Sequence, residues 1–240
     1  MLGILKAPNL RKAIELQNAT EYGLTAGLHS LSTKECHYWL KNVQAGNLYI
    51  NRAITGAIVK RQPFGGWKKS SFGPTVKAGS SYYPSIFRRF DKVEDYDKLL
   101  LDLREVWKDQ SKKNKTDDLE SEYNYSILHP YHNVLVVIDQ KSNPEQKKYL
   151  DSIEKMFGIK INEIDFSQLE DNESLNAYSL VRWLSNKSVP HWIYKFEFSI
   201  DTSLIVQNAQ RELNSWVREQ SVSITNHRYG NIGFSPVFIE

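Results

Sequence analysis

The chain has 240 residues, of which 40% are hydrophobic, and a formal net charge of +3. This composition is that of a globular protein that can bury a core, and the basic excess is too small to indicate a nucleic-acid partner. A single cysteine excludes an intrachain disulfide and fits a reducing cytoplasm, and no apolar run approaches the roughly 20 residues of a membrane span, so we expect a cytoplasmic protein.

The first part of the chain mixes helix and strand signals. The run LGIL, residues 2–5, is typical of the end of a buried strand, so we expect further chain upstream. Asn9 and Thr33 are each placed to cap a helix, and Gly46 to end the second one. The predicted elements are a helix from Asn9 to about Asn18, a strand within 22–30, a helix over 34–43 and a strand at 47–51.

A charged stretch divides the chain. A helix is predicted over 95–107, and residues 108–122 follow with Leu119 as their one apolar side chain. Such a segment cannot bury area and is typical of a solvated, mobile linker. We therefore predict three parts, which are residues 1–90, a helix and charged linker over 91–124, and a domain over 125–240.

The last part alternates between the two element types. The strands are expected at 133–139, 160–165, 191–199 and 221–225, and the helices at 143–157, 176–184 and 204–219. This alternation predicts an α/β layer fold with parallel strand pairing. Asp139 ends the first of these strands, where it either lies near a ligand site or, as the favoured interpretation, caps a helix. Trp183, Trp192 and Trp216 are expected in the core.

The stretch TGAIVKRQPFGG, residues 55–66, suggests a binding loop. Gly56 and Ala57 have almost no side chain, so their N–H groups are open to a carboxylate or phosphate. Phe64 stands between Pro63 and two glycines, and its ring can close over an aliphatic ligand. The alternative is a structural corner whose Phe64 fills a core.

Three stretches carry a family resemblance: GLTAGLHS, AGNLYINRAITGAIVKRQPFGGWKKSS and GPTVKAG. Together they resemble the C-terminal part of the aldehyde dehydrogenase superfamily, over residues 1–83. The branch is the one that oxidises L-glutamate γ-semialdehyde, also called Δ1-pyrroline-5-carboxylate dehydrogenase, which bifunctional proline-utilisation proteins carry fused to proline dehydrogenase. The resemblance implies that Thr55, Gly56 and Ala57 bind the substrate carboxylate and that Phe64 packs against the aliphatic part of the aldehyde.

The resemblance also sets the expected architecture. The fold implied is α/β, namely a truncated C-terminal part of an aldehyde dehydrogenase catalytic domain followed by a smaller, Rossmann-like accessory domain. The terminal run WVREQSVSITNHRYGNIGF is similar to the end of some long proline-utilisation proteins, which implies that residues 125–240 form a non-catalytic module.

Catalytic residues of the family are expected upstream of this chain. The family's thiol, its glutamate and its dinucleotide-binding domain precede the matched stretch, so NAD is expected in the intact enzyme and no cofactor in this chain alone. Cys36 falls on an apolar helix stripe, which favours a core position. His129 and His132 lack a third ligand nearby, which disfavours a metal, and no Gly-x-Gly-x-x-Gly occurs.

The expected partners follow from the same resemblance. They are the upstream part of the dehydrogenase, in the same or a separate chain, a proline dehydrogenase, and further copies of this chain. We therefore predict a C-terminal portion of an L-glutamate γ-semialdehyde dehydrogenase that is inactive alone. The alternatives are a non-catalytic oligomerisation or lid module, in which YYPSIF, residues 82–87, gives a strand to a partner, and a non-functional gene remnant.

Overall fold

The computed structural model describes residues 3–71, 73, 76–116, 119–140, 142–228 and 231–232. The helices are α1 Leu10–Asn18, α2 Thr33–Asn42, α3 Tyr96–Gln110, α4 Pro144–Phe157 and α5 Ala209–Leu213. The strands are β1 Tyr22–Gly23, β2 Thr25–Leu28, β3 Asn47–Ile50, β4 Trp67–Lys68, β5 Asn114–Lys115, β6 Glu122–Pro130, β7 Asn133–Ile138, β8 Lys160–Asp165, β9 Leu180–Trp183, β10 Ser199–Asp201, β11 Val217–Thr225, β12 His227–Arg228 and β13 Asn231–Ile232. Short three-ten helices lie at Tyr83–Phe87, Phe166–Gln168, Glu173–Ala177 and His191–Lys195.

Two larger sheets organise this mixed α/β fold. One has five strands in the order β2-β3-β11-β6-β5, and the other has four in the order β10-β9-β7-β8. All pairs of the four-stranded sheet are parallel, as the alternating pattern predicted. In the five-stranded sheet, β11 runs parallel to β3 and antiparallel to β6. This sheet therefore takes strands from both sides of the boundary predicted at residues 91–124.

The continuous apolar run of β7 has a simple cause, which is burial on both faces. Val134 and Val136 pack into a core with α3, α4 and α5. Leu135 and Val137 point the other way, into a second core beneath β9 and the three-ten helix at His191–Lys195. Side chains alternate across a strand, so a strand with two buried faces carries no polar alternation. A third core lies under α1 and α2 against the five-stranded sheet.

Helix starts were predicted well where a capping side chain precedes an apolar stripe. Asn9, Asp95 and Asn143 each accept a hydrogen bond from the backbone N–H three residues later, at the starts of α1, α3 and α4. Pro144 occupies the first turn of α4, where a missing N–H costs nothing. The second helix differs by one residue, because Ser32 caps it and Thr33 is already helical.

Gly46 does not end α2, contrary to the prediction. The helix ends at Asn42 with an extended cap residue, Val43. Gly46 lies instead where the backbone of residues 65–66 crosses it, and a Cβ there would be 2.1 Å from the carbonyl oxygen of Gly65. The glycine is needed for close approach of two chain segments and not for a left-handed turn.

The charged stretch is partly ordered, so the prediction of a mobile linker over 108–122 is wrong in two places. Helix α3 continues to Gln110, and β5 forms within the stretch, which ends where β6 begins. Thr116 donates from Oγ1 to the carbonyl of Arg61 at 2.6 Å, and Lys113 lies over the Tyr125 ring. Backbone pairing and cation–π contact thus order a segment that has few apolar side chains.

Three further elements differ from prediction in the last part of the chain. Residues 176–184 contain strand β9 and not a helix, and 191–199 are mostly a three-ten helix. Within 204–219 the helix is limited to the five residues of α5. In each case burial on several sides produced apolar patterns without a clean period, so tertiary contacts decided the structure.

Single residues also correct the predictions. Asp139 caps no helix, since its carboxylate accepts from Ser185 Oγ and, at 2.7 Å, from Asn186 N in the loop after β9. The YYPSIF segment is a three-ten helix and not a strand. Residues 3–7 form no strand, and Ile4 and Leu5 are exposed. Pro74 and Thr75 of the GPTVKAG motif lie outside the described residues.

A buried ionic network joins the four-stranded sheet to its helices. Arg182 of β9, which is fully buried, pairs with Asp201 of β10 and with Glu212 of α5, the latter at 3.0 Å. Tyr149 of α4 donates to Glu212 at 2.8 Å, and so does Trp216 at 3.0 Å.

The three tryptophans expected in the core lie in it or beside it. Trp216 and Trp183 are buried in the core, and Trp192 packs against the core that contains Trp183. Among the helices of the described residues, none has the length and apolarity of a membrane span.

Candidate functional site

The loop after β3 carries the residues singled out by the sequence. Thr55, Gly56 and Ala57 are all exposed, on the way out from the sheet. Gly56 has φ +83°, a conformation that side-chain-bearing residues rarely adopt. The Tyr49 hydroxyl in β3 donates to the carbonyl of Gly56 at 3.3 Å, which fixes that peptide from behind.

The amides of Gly56 and Ala57 are available to a ligand. Neither N–H donates a hydrogen bond to any residue in the described part of the chain. The space where a Cβ of Gly56 would lie is open. Two neighbouring N–H groups without protein acceptors, beside a left-handed peptide, are a suitable arrangement for an anionic group.

A turn closes the loop immediately after these amides. The backbone N–H groups of Arg61 and Gln62 donate to the carbonyl of Ile58 at 3.0 and 2.8 Å. The Gln62 side chain completes the turn, because its Oε1 accepts from the N–H of Ile58 at 3.3 Å. The loop is therefore held by its own backbone from residue 58 onward.

Phe64 is tied to the same support as the loop. It exchanges two backbone hydrogen bonds with Ala78, at 2.9 and 3.1 Å, and the N–H of Lys60 donates to the carbonyl of Gly79 at 3.1 Å. The Phe64 side chain is half-buried and belongs to none of the three apolar cores described above. The ring is thus not sealed in the interior, which was the structural alternative for this residue.

Two strands that come later in the chain, β6 and β11, brace the loop. Gln62 Nε2 donates to Glu122 of β6 and to Ser223 of β11, each at 3.2 Å. Arg52 pairs with Glu122 at 2.9 Å and also donates to Ser223. Burial alone would raise the pKa of Glu122, but the Asn124 hydrogen bond and the Arg52 charge outweigh it and lower that pKa, so the carboxylate stays ionised.

Lys77 pins the turn that follows Phe64. Its buried Nζ donates to the carbonyls of Gly46 and Gly65, at 2.6 and 2.8 Å, and to Asn47 Oδ1 at 2.9 Å. Burial lowers the pKa of Lys77 to about 7, against the opposing effect of the Glu219 carboxylate. The lysine links β3, the PFGG turn and β11 in one buried cluster.

The first part of the chain is similar in sequence to known proteins. Residues 1–88 match the model of the aldehyde dehydrogenase family. We refer to this matched part as the aldehyde dehydrogenase segment. The chain is 47% identical over 75 residues to the bifunctional protein PutA of Rhizobium meliloti, covering 31% of this chain and 6% of that protein. It is 41% identical over 86 residues to the 1-pyrroline-5-carboxylate dehydrogenase of Staphylococcus epidermidis, covering 35% of this chain and 16% of that protein.

A solved structure matches beyond the aldehyde dehydrogenase segment. Proline Utilization A (PutA) from Corynebacterium freiburgense matches 96% of this chain with 32% identity and a TM-score of 0.79. The chain spans 26% of that protein and a smaller share of the curated relatives. The predicted resemblance is therefore confirmed, and the likeness in fold extends over both sheets.

The thiol of the aldehyde dehydrogenase segment is not placed for chemistry. Cys36 is fully buried in α2, as predicted, and burial raises its pKa. A protonated thiol in a core is a poor nucleophile. Among the described residues, no cluster of three His, Cys, Asp or Glu side chains has the geometry of a metal site.

The sequence between β7 and α4 differs from a dinucleotide-binding fingerprint. Residues 139–143 contain no glycine, and the sequence has no Gly-x-Gly-x-x-Gly. Close approach of a pyrophosphate to a helix start needs those glycines. The start of α4 therefore lacks the glycines by which a dinucleotide pyrophosphate is held at a helix start.

Sequence reasoning found the loop of the aldehyde dehydrogenase segment but missed its supports. Tyr49, Arg52 and Gln62 lie close to the motif in sequence, and a polar side chain before Pro63 was a usable signal for Gln62. Glu122 and Ser223 are far away in the chain, and no local pattern connects them to the loop. Pairing of β11 with β3 brings Ser223 there, and pairing of β6 with β11 brings Glu122.

Proposed function

We propose that residues 1–88 supply the substrate-anchoring surface of an NAD-dependent L-glutamate γ-semialdehyde dehydrogenase, the enzyme that oxidises this semialdehyde to glutamate in proline catabolism. The observation that carries the proposal is the pair of open amides at Gly56 and Ala57. The likeness to the 1-pyrroline-5-carboxylate dehydrogenase of Staphylococcus epidermidis supports the substrate class.

Each residue of the loop has a physical role in this proposal. The N–H groups of Gly56 and Ala57 bind the substrate carboxylate, and the exposed Thr55 hydroxyl offers a further donor. The half-buried Phe64 ring packs against the aliphatic carbons. The amides position the substrate, and the ring excludes water from it. This surface therefore orients the aldehyde without reacting with it.

The remaining residues act as a support in this proposal. We assign the parallel sheet and α4 to a Rossmann-like accessory module, an assignment supported by the strand order β10-β9-β7-β8. Glu122 and Ser223, at the edge of this part of the chain, hold Arg52 and Gln62. Strands β6 and β11 of the five-stranded sheet thus keep the anchoring loop in one conformation, which lowers the entropy cost of binding.

The separate chain is expected to be inactive. Aldehyde oxidation needs a reactive thiolate and bound NAD, which the family supplies from upstream residues. The upstream part of the dehydrogenase, in the same or a separate chain, is therefore the required partner. A proline dehydrogenase is a second partner, supported by the bifunctional relative.

Complementation tests the proposal. The chain is mixed with an upstream fragment of a 1-pyrroline-5-carboxylate dehydrogenase that holds the thiol and the dinucleotide domain, and NADH formation is followed by absorbance. We expect turnover in the mixture and none with either part alone. Phe64→Ala should raise KM about tenfold, whereas Lys195→Gln, at an exposed site on another part of the fold, should have no effect. Turnover by the chain alone, or an unchanged KM in Phe64→Ala, contradicts the proposal.

One observation favours a second candidate function, which is assembly. Phe87, at the end of the first three-ten helix, is 74% exposed, and its neighbour Ile86 is 38% exposed. Adjacent exposed apolar side chains are typical of an interaction surface. Size-exclusion chromatography with the upstream fragment separates the two functions, since association without activity favours the assembly role. Phe87→Ser should then abolish the association.

A further inference from the structure

A cavity of about 430 Å³ lies where the aldehyde dehydrogenase segment meets the strands that follow it. The end of α2, strand β4, the ends of β6 and α4, and strand β11 form its walls. It is separate from the anchoring loop, because none of the residues 55–64 lines it. The proposed function makes no use of this cavity.

Arg218 gives the cavity its charge. Its guanidinium stacks on the Trp67 ring, with Cζ 3.9 Å from the ring centroid, and lies 5.9 Å from the centroid of Tyr131. No described residue forms an ion pair or a hydrogen bond with this side chain, and its buried Nε has no partner. Burial lowers the pKa of Arg218, yet a guanidinium remains charged at any ordinary pH. A partly desolvated cation without a counter-ion is costly, so the site favours an anion.

The groups around Arg218 are fixed in place. Trp67 Nε1 donates to the carbonyl of Glu219 at 2.9 Å, and His129 contacts the ring edge-on at a centroid distance of 5.6 Å. Gln220 donates from Nε2 to the carbonyl of Ala45 at 2.8 Å, which turns its Oε1 toward His129 Nε2 at 3.0 Å. These contacts hold the guanidinium in one orientation before any ligand arrives.

Among the described residues that line the cavity, none has an acidic side chain. Lys41, in the last turn of α2, adds a second cation to the wall. Leu40, Val43 and Phe157 supply apolar surface. Two cations with no carboxylate between them produce a positive potential in a partly enclosed space, and the apolar wall suits a short carbon chain.

We propose that this cavity binds a small organic carboxylate, which Arg218 holds through paired N–H donors with Lys41 as a second contact. Guanidinium binds carboxylate and phosphate by the same paired geometry. The apolar wall favours the carboxylate, because inorganic phosphate has no carbon atoms to place there. The ligand site is independent of the aldehyde-anchoring loop.

Calorimetric titration of the full 240-residue chain tests the proposal with three probes. They are glutarate, its neutral isostere glutaramide, and inorganic phosphate. We expect saturable binding of glutarate that weakens with added salt, and no binding of glutaramide. Arg218→Met should weaken glutarate binding about tenfold or more, and Lys41→Gln severalfold. Lys148→Gln, at an exposed ion pair far from the cavity, should leave it unchanged.

Further measurements distinguish the cavity from the anchoring loop, and glutarate from phosphate. Phe64→Ala should not alter glutarate binding, and a loss in that variant would place glutarate on the anchoring loop and overturn the proposal. Tighter binding of phosphate than of glutarate would overturn the carboxylate assignment. Equal affinity for glutaramide, or binding retained in a folded Arg218→Met, would overturn the site itself. If circular dichroism shows that Arg218→Met does not fold, glutarate binding by Lys41→Gln and the comparison with glutaramide still test the proposed site.

Discussion

Gln62 of the aldehyde dehydrogenase segment donates from Nε2 to the Ser223 hydroxyl at 3.2 Å, between residues 161 positions apart in the sequence. The same side chain accepts, through Oε1, from the N–H of Ile58 in the anchoring loop. One buried amide thus connects the loop to β11. A glutamine in this position makes the conformation of residues 56–62 depend on strands from the end of the chain.

Replacing Gln62 should therefore loosen the loop. Gln62→Ala leaves Ser223 and the Ile58 amide without this partner, and we expect a loss of about 1–3 kcal/mol in unfolding free energy. Urea denaturation measures this loss, and hydrogen exchange should show faster exchange at Ile58. Gln168→Ala, at an exposed glutamine, is the matched control and should change stability by less than about 0.5 kcal/mol. Unchanged exchange at Ile58 in Gln62→Ala would show that the brace is unimportant.

Two glycines of the site should respond differently to alanine. Gly46→Ala places a methyl 2.1 Å from a backbone oxygen of Gly65, which cannot move without shifting the PFGG turn. Gly56→Ala meets open space and suffers only from its left-handed φ. We expect Gly46→Ala to cost several kcal/mol and Gly56→Ala about 1 kcal/mol. Thermal denaturation of both variants shows which one loses more stability. Equal losses would contradict the close approach of the Gly65 backbone to Gly46.

The sequence predicts well those features that depend on a few neighbouring residues. The cap Asn143 with Pro144 defines the start of α4, and the run VLVVI defines β7. The loop that we propose to bind the substrate was located because Gly56 and Phe64 belong to one short motif. The contacts of Ser223 with that loop, and the strand in residues 180–183, were not predictable in this way, because both depend on which distant strand lies alongside.

A third prediction concerns the buried pair of Arg182 with Glu212, which we expect to stabilise the four-stranded sheet. Arg182→Met leaves two carboxylates, Glu212 and Asp201, buried without their cation. We expect a loss of about 3–5 kcal/mol, because an unpaired buried charge is strongly destabilising. Lys147→Met removes an exposed cation that also contacts two carboxylates, and it should cost at most about 1 kcal/mol. Similar losses in the two variants, measured in guanidinium chloride, would contradict a stabilising buried network.

His129 should make the stability of the protein sensitive to acid. Burial, with a contribution from the Arg218 charge, lowers the pKa of His129 from 6.5 to about 4. Between these two values the unfolded chain binds a proton that the folded chain does not, so stability is complete above pH 6.5 and falls as the pH drops toward 4. The expected loss from this group is at most about 3 kcal/mol. Unfolding free energies of the native chain and of His129→Gln, measured across this range, should differ in slope, because only the native chain loses this contribution as the pH falls. His191→Gln, at an exposed site, controls for the removal of an imidazole, and parallel curves for the native chain and His129→Gln would contradict the buried, neutral state of His129.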